Sequence, residues 1–174
     1  CLQHWKILNP LKEILLLNDS KFNVTYLRSA TAYGLSNCIR LDLVVNNLTC
    51  SAFTTKQVKL LSDGTSWRPL VHVDDMSNAF ISVLKSPTDK INGETFNVGS
   101  NEEISIKNLA ELIKKLFDSE ININIKNNKI SGQSSNRNYY VPNISKALGK
   151  LNLKLNFSLA NSIKKILSTQ NTVF

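Results

Sequence analysis

Short runs of strand-forming residues alternate along this chain with segments whose apolar residues recur at helical spacing, and this alternation limits the fold class more than any other feature. The strand-like runs are rich in β-branched and aromatic residues and are bounded by turn signals such as Ser62-Asp63-Gly64. They cover residues 24–27, 58–61, 70–73, 95–98 and 121–125. Alternation of this kind predicts an α/β fold.

Helical spacing is predicted for residues 12–17, 41–53, 144–148 and 159–167, and for two segments that follow Asp74 and Ser105. Short polar side chains of this kind favour the N-cap position of a helix. The helix after Asp74 is expected to place on one face Met76, Phe80, Val83 and Leu84. The helix after Ser105 is expected to have an inner face made of Ile106, Leu109, Ile113 and Leu116.

The formal net charge of +8 is spread along the whole chain. Residues 1–87 contain nine basic and six acidic side chains, and residues 88–174 contain twelve and seven. A nucleic-acid module usually concentrates positive charge in a patch with interleaved aromatic residues. We therefore expect a lysine-rich solvated surface and no nucleic-acid partner, and a basic nucleic-acid-binding module is the less favoured alternative.

The three cysteines, Cys1, Cys38 and Cys50, form no paired spacing typical of a zinc site, even with His4 and His72. We expect free thiols, no metal and a reducing, cytoplasmic location. No apolar run reaches the length of a membrane helix, and no secretory signal opens the sequence. A membrane partner is therefore not expected.

Two motifs that carry chemistry are absent from the sequence. All six glycines are isolated, so there is no dinucleotide-binding G-x-G-x-x-G and no phosphate-binding loop. None of the four tyrosines is followed four positions later by lysine, which excludes a Tyr-x-x-x-Lys pair for proton transfer. We assign no catalytic residue, and the start at Cys1 in place of methionine predicts a fragment.

Arginine is rare in this chain, at four of the 21 basic residues. The guanidinium group is a planar fork that binds phosphate or carboxylate through two hydrogen bonds. Arg68 and Arg137 lie in turn-like contexts that suit an anion. For Arg28 and Arg40 a structural ion pair is expected instead.

Five sequence elements, in order, resemble the motifs of extended short-chain dehydrogenases, the NAD-dependent epimerase/dehydratase family. They are LRSATAYG at 27–34, LDLVVNNL at 41–48, DGTSWRPLVHVDD at 63–75, TFNVGS at 95–100, and RNY at 137–139 with SKALG at 145–149. The resemblance implies the C-terminal part of a Rossmann-type enzyme of this family with its small substrate-binding α/β domain. Residues 1–87 are expected to hold the last strands and helices of the Rossmann-type domain, interleaved with substrate-domain segments. Residues 88–174 are expected to belong mainly to the substrate-binding domain.

The resemblance also implies roles for individual residues in a nucleotide-sugar site. Arg68 and Arg137 would hold the diphosphate of the substrate, with Asn47 and Leu48 donating backbone or side-chain contacts. Thr31 would face the sugar, at a position where many members of the family have asparagine.

The remaining implied roles concern the nucleotide base and the cofactor. Lys59 and Leu61 would edge the pocket for the base, and Ser29 and Ala30 would lie near the nicotinamide end of NAD or NADP. His72 resembles the signature histidine that supports this part of the fold, and we do not assign it to catalysis.

Together these roles imply part of an NAD(P)-dependent nucleotide-sugar epimerase or dehydratase that contributes the nucleotide-sugar-binding half. The expected ligand is a UDP-, dTDP-, GDP- or CDP-sugar, and the full-length protein is expected to be a homodimer. Without a cofactor loop and a catalytic Tyr/Lys pair, the chain alone is expected to be inactive. A non-catalytic regulatory pseudoenzyme that keeps the ligand pocket stays open as the alternative.

Overall fold

The computed structural model of the chain describes residues 13–14, 16–19, 21–117, 120–125, 139 and 141–170. Six strands within these residues pair as three parallel two-stranded sheets. The pairs are β1 (Tyr26–Ser29) with β5 (Thr95–Val98), β2 (Thr31–Tyr33) with β4 (Leu70–His72), and β3 (Gln57–Leu60) with β6 (Asn122–Ile125).

Helices cover the sheets and supply the crossovers that parallel pairing requires. They are α1 (Val44–Thr55), α2 (Val73–Lys85), α3 (Thr88–Ile91), α4 (Ile106–Leu116), α5 (Ser145–Lys150) and α6 (Leu159–Gln170). The predicted α/β class is therefore confirmed. No helix among the described residues combines the length and the apolar character needed to cross a bilayer.

Two apolar clusters hold these elements together, and the β2/β4 pair lies between them. One cluster, which includes residues of α1, α4 and α6, takes Tyr33 and Leu70 from this pair. The other includes residues of α2, α5 and β5 and takes Val71, with Ala32 packed against it. Successive residues of a strand point to opposite faces, so the short pair anchors both clusters at once. The predicted division at residues 87 and 88 stays a prediction.

The first strands differ in extent from the sequence-based prediction. Val24 is buried, but its carbonyl accepts from Gly93 N at 2.7 Å outside the ladder, and β1 begins only at Tyr26. Strand β2 was not predicted, because three residues with alanine at the centre carry no strand pattern of their own. Pairing with β4 stabilises the extended conformation of β2, which its own residues favour only weakly.

Helix α2 begins differently from the prediction, and the assignment of Asp74 as N-cap is wrong. His72 occupies the cap position, and its Nδ1 accepts a hydrogen bond from Asp74 N at 3.2 Å. The predicted apolar face is also wrong in part, since Phe80 is 52% exposed and Leu84 is 85% exposed. Ala79, with Met76 and Val83, makes the buried contacts instead.

The predictions for the second half of the chain agree more closely with the structure. Ser105 caps α4 by accepting from Asn108 N at 3.2 Å, and the inner residues Leu109 and Ile113 have no exposed surface. Strand β6 alternates exposed asparagine with half-buried isoleucine, as predicted. A serine side chain at an N-cap is a local signal, so the sequence suffices to identify it.

Candidate functional site

The chain passes from β1 to β2 through a single residue, Ala30. Ala30 N donates to Val98 O at 2.7 Å, which extends the contact between β1 and β5. Thr31 N donates to Pro69 O at 3.0 Å, which starts the contact between β2 and β4. Ser29 is exposed and Thr31 is half-buried. Ligands of α/β folds bind outside the carboxyl ends of parallel strands, and the carboxyl end of β1 is such a position.

Arg68 immediately precedes Pro69, so the bond from Thr31 places the arginine segment next to the end of β1. The backbone of this segment is anchored on the start of α4. Trp67 forms an isolated bridge with Ser105, and Ile106 N donates to Ser66 O at 3.0 Å. Arg68 is exposed and forms no ion pair with a carboxylate of the described residues. A fixed backbone that carries an exposed, unpaired guanidinium suits an anionic ligand.

A glycine turn sets the path of the chain into this segment. Gly64 has φ +75°, a conformation that side-chain-bearing residues rarely adopt, and an added Cβ would lie 3.0 Å from Lys107 Cβ. Lys107 N also donates to Gly64 O at 2.9 Å. The turn therefore fixes how the chain leaves β3 and reaches Arg68.

Tyr139 brings the late motif to the same place. Its ring centroid lies 5.4 Å from that of Trp67, and its hydroxyl donates to a carboxylate oxygen of Glu103 at 2.6 Å. Arg137, the second predicted diphosphate ligand, lies outside the described residues. Its neighbour Tyr139 thus contacts the residue that precedes Arg68, a contact that the spacing in the sequence does not indicate.

The amino end of α1 lies beside the carboxyl end of β2. The N-cap position is Leu43, which supplies no capping side chain, so the first-turn N–H groups depend on other partners. Asn46 is only 2% exposed, accepts from Gly34 N at 3.2 Å and donates from Nδ2 to Arg40 O at 3.1 Å. It ties the end of β2 to the loop before the helix. The partial positive charge of a helix amino end attracts anions.

A cavity of about 150 Å³ lies between the end of β2 and the start of α1. Its lining residues are Ala32, Tyr33, Gly34, Ser36, Arg40, Leu43, Asn46 and Val73. Arg40 forms an ion pair with Asp42, with Nε 2.9 Å from Oδ1, as expected for a structural arginine. Sequence reasoning missed Asn46, because an asparagine in a polar-looking Asn-Asn pair gives no sign of burial.

The other predicted substrate residues lie in different environments. Asn47 is exposed, and its Nδ2 donates to Leu41 O at 2.8 Å. The side chain of Leu48 is 4% exposed and belongs to the apolar core, so it is not available to a ligand. Lys59 is exposed on β3, and Leu61 just after this strand is 79% exposed. These two side chains precede the Gly64 turn.

Tyr33 lines the cavity, and the buried His72 contacts Tyr33 and Gly34 of this lining. Burial lowers the pKa of His72, with Asp74 and Asp75 opposing this shift and Lys165 adding to it. Burial also raises the pKa of Tyr33 well above its usual value, and the carboxylates of Glu102 and Asp75 act in the same direction. A tyrosine held in its protonated form is poorly suited to proton transfer near neutral pH. Among the described residues no group of three or more metal-ligating side chains is present.

Known proteins resemble this chain in sequence and in fold. Residues 14–99 match the model of the NAD dependent epimerase/dehydratase family. UDP-glucuronic acid decarboxylase 1 of Arabidopsis thaliana is 23% identical over 180 residues, which cover 95% of this chain and 40% of the relative. The chain thus spans less than half the length of this relative.

Two solved structures share the fold. The UDP-glucuronic acid 4-epimerase of Bacillus cereus, in complex with UDP-glucuronic acid and NAD, superposes with a TM-score of 0.73 at 22% identity, covering 88% of this chain and 47% of that one. The epimerase Mth375 of Methanothermobacter thermautotrophicus gives 0.75 at 18% identity, covering 97% and 49%. The Rossmann-type fold implied by the motifs is confirmed. Through residues 14–99, this chain is similar to the NAD-dependent epimerase/dehydratase family.

Proposed function

We propose that this chain contributes the nucleotide-sugar-binding half of an NAD(P)-dependent nucleotide-sugar epimerase or dehydratase. The observation that carries the proposal is the hydrogen bond from Thr31 N to Pro69 O, which brings the end of β1 and the Arg68 segment together. The contact of Trp67 with Tyr139 adds the last residue of the RNY motif. Three segments that are distant in sequence are therefore connected by direct contacts.

Arg68 is the residue proposed to bind the diphosphate. Its guanidinium is exposed, it has no carboxylate partner among the described residues, and its backbone is held on α4. The amino end of α1, which lacks a capping side chain, would add backbone N–H groups and a favourable dipole. Arg137 is proposed as the second guanidinium. Thr31 would contact the sugar, and Lys59 and Leu61 would border the base.

A UDP-sugar is the first ligand to test, and UDP-glucuronic acid the first compound. Both the Arabidopsis decarboxylase and the Bacillus cereus epimerase carry UDP-glucuronic acid in their names. The shared feature of UDP-, dTDP-, GDP- and CDP-sugars is the diphosphate, so Arg68 alone does not select among them. Base preference would depend on the residues around Lys59 and Leu61.

The cofactor class implied for this family is NAD or NADP, which would accept and return a hydride at a sugar carbon. Ser29 and Ala30 fit a position against the nicotinamide, because they are small, they end β1, and Ser29 is exposed. The sequence has no glycine-rich loop for the cofactor phosphates. We therefore propose that the chain alone binds nucleotide-sugar without turning it over, and that the full-length protein is a homodimer.

Isothermal titration with UDP-glucuronic acid tests the proposal directly. A charge-assisted pair of hydrogen bonds contributes roughly 1.5–3 kcal/mol, so Arg68→Ala should weaken binding about 10- to 100-fold. Arg28→Ala is the matched control, since Arg28 is also exposed and lies on β1. The affinity of the Arg28→Ala variant for UDP-glucuronic acid should equal that of the unchanged chain. Equal affinity for Arg68→Ala, or equal losses in both variants, would contradict the proposal.

A further inference from the structure

The segment 152–158, which we name the strap, connects α5 to α6 without regular secondary structure. It is attached to α2 by the carboxylate of Asp75, which is only 2% exposed. Asp75 accepts from Asn156 N at 3.0 Å and from Phe157 N at 3.3 Å. At its end, Glu102 accepts from Leu159 N at 3.0 Å. The strap is thus held by buried and half-buried polar contacts in the middle and at the end.

His72 is the link between the strap and the wall of the cavity. Its ring stacks on Phe157 of the strap, with centroids 4.2 Å apart and an angle of 11° between the planes. On the other side it meets Tyr33 edge-on at 5.5 Å. Its Nε2 also packs against Gly34, where an added Cβ would lie only 2.7 Å away. Gly34 lines the cavity and donates its N–H to Asn46.

This arrangement requires the neutral form of the imidazole. Nδ1 accepts from Asp74 N at the start of α2, and a protonated ring has no lone pair for that bond. A positive charge at a helix amino end is also unfavourable. The charged groups that face the ring are Asp74, 3.7 Å from Nδ1, with Asp75 on the same helix and Lys165 on α6. The two carboxylates favour protonation, while burial and Lys165 oppose it.

We infer that His72 is a positioning residue: in its neutral form it holds the strap against the turn at Gly34, and on protonation it releases the strap and loosens the cavity. This inference rests on the proposed function only for the nature of the ligand that the cavity helps to hold. The direction of the pH dependence follows from burial, which lowers the pKa of His72 below the ordinary value of 6.5. Opening of the strap therefore takes up a proton and becomes more favourable as the pH falls below 6.5.

The test measures NMR chemical shifts and hydrogen exchange of the strap in the absence of ligand. NMR of the unchanged chain follows the imidazole of His72 and the amides of Asn156 and Phe157 between pH 8 and 5. We expect the amides to shift with the midpoint of the imidazole. Hydrogen exchange of the strap, compared with that of His72→Asn at the same pH, should rise by up to about tenfold per pH unit below 6.5. Asparagine keeps an N-cap acceptor but does not titrate.

Two results would overturn the inference. The first is a strap whose amides do not follow the His72 titration in the unchanged chain, a readout that needs no variant to fold. The second is an affinity for UDP-glucuronic acid whose pH dependence is the same in the unchanged chain and in His72→Asn, since the coupling to the cavity would then be absent. A chain that binds no nucleotide-sugar at any pH would instead overturn the proposed function. The strap measurement would still decide whether protonation of His72 releases the strap.

Discussion

Helix α1 (Val44–Thr55) has a cavity at each end, and the two differ in size and in polarity. The cavity at its amino end measures about 150 Å³ and borders the carboxyl end of β2. The cavity at its other end measures about 420 Å³ and is lined by Phe53, Lys56, Leu116, Phe117, Lys164, Leu167 and Ser168. The second is larger, but its lining comes from the carboxyl ends of α1 and α4 and the last turns of α6. The carboxyl end of a helix carries partial negative charge and disfavours an anion.

The lining of the larger cavity includes a lysine that contacts two aromatic rings of the same lining. The ammonium of Lys56 lies 5.7 Å from the ring centroid of Phe53 and 5.8 Å from that of Phe117. A lysine at the carboxyl end of a helix is a stabilising cap. Helix polarity, and not cavity volume, is the reason for proposing that an anionic substrate binds at the amino end of α1.

Of the changes considered, replacement of Gly34 by alanine, beside the smaller cavity, should have the largest effect on stability. Gly34 has φ +118°, and the new Cβ would lie 2.7 Å from Nε2 of His72. Strain and overpacking together should lower the free energy of unfolding by about 2–5 kcal/mol. Urea denaturation measures the change. The control is Gly149→Ala in α5, where an added Cβ meets nothing within 4 Å and should raise stability by about 0.5–1 kcal/mol.

Similar stabilities for Gly34→Ala and the unchanged chain would contradict the tight contact between Gly34 and His72. They would also remove the physical link between the strap and the small cavity. Loss of stability in both glycine variants would point to a general intolerance of added volume instead.

Replacement of Lys56 by asparagine should have a smaller effect, confined to the larger cavity. Lys56 has φ +56°, a left-handed conformation that asparagine adopts readily, so the backbone should not change. Loss of the two cation–ring contacts should lower the free energy of unfolding by about 1 kcal/mol. Thermal unfolding measures the stability, and titration with UDP-glucuronic acid should show unchanged affinity. A marked loss of affinity would place an anionic ligand in the larger cavity.

Acid should weaken the amino end of β5, away from the proposed site, by a modest amount. Glu94 pairs with Lys146 and Lys150 of α5, and these two ammonium groups lower its pKa from 4.5 to about 2. A carboxyl group with a depressed pKa contributes stability above pH 4.5, and this contribution is lost as the pH falls from 4.5 to about 2. Urea midpoints of the unchanged chain and of Glu94→Gln should therefore differ at pH 6 and converge near pH 2. Midpoints that differ equally at both values would contradict this account of the ion pairs.

The sequence predicts well those features that depend on neighbouring residues. The cap at Ser105, the inner face of Leu109 and Ile113 and the alternation in β6 are local patterns, and all three are present. Strand β2 and the burial of Asn46 depend on partners far along the chain, namely β4 and Gly34. No local pattern encodes these contacts, so they were not predicted.

In the candidate site, too, local features were predicted better than features that depend on distant residues. The motifs placed Arg68 next to a turn, and the structure shows it exposed on an anchored backbone. The motifs also imply a ligand contact for Leu48; its side chain is part of the core, so a contact through its backbone stays a prediction. The cap role of His72 was hidden because Asp74, two residues later, is the commoner capping residue in sequence terms.

The most direct test of the account is a double-mutant cycle of Arg68 and Arg137, with affinity for UDP-glucuronic acid measured by titration. If both guanidinium groups hold one diphosphate, each alanine variant should bind about 10- to 100-fold more weakly than the unchanged chain. The double variant should then lose less than the product of the two factors, because a diphosphate released by one arginine is held less well by the other. Two independent losses that multiply, or an Arg68→Ala variant with unchanged affinity, would contradict a shared diphosphate site.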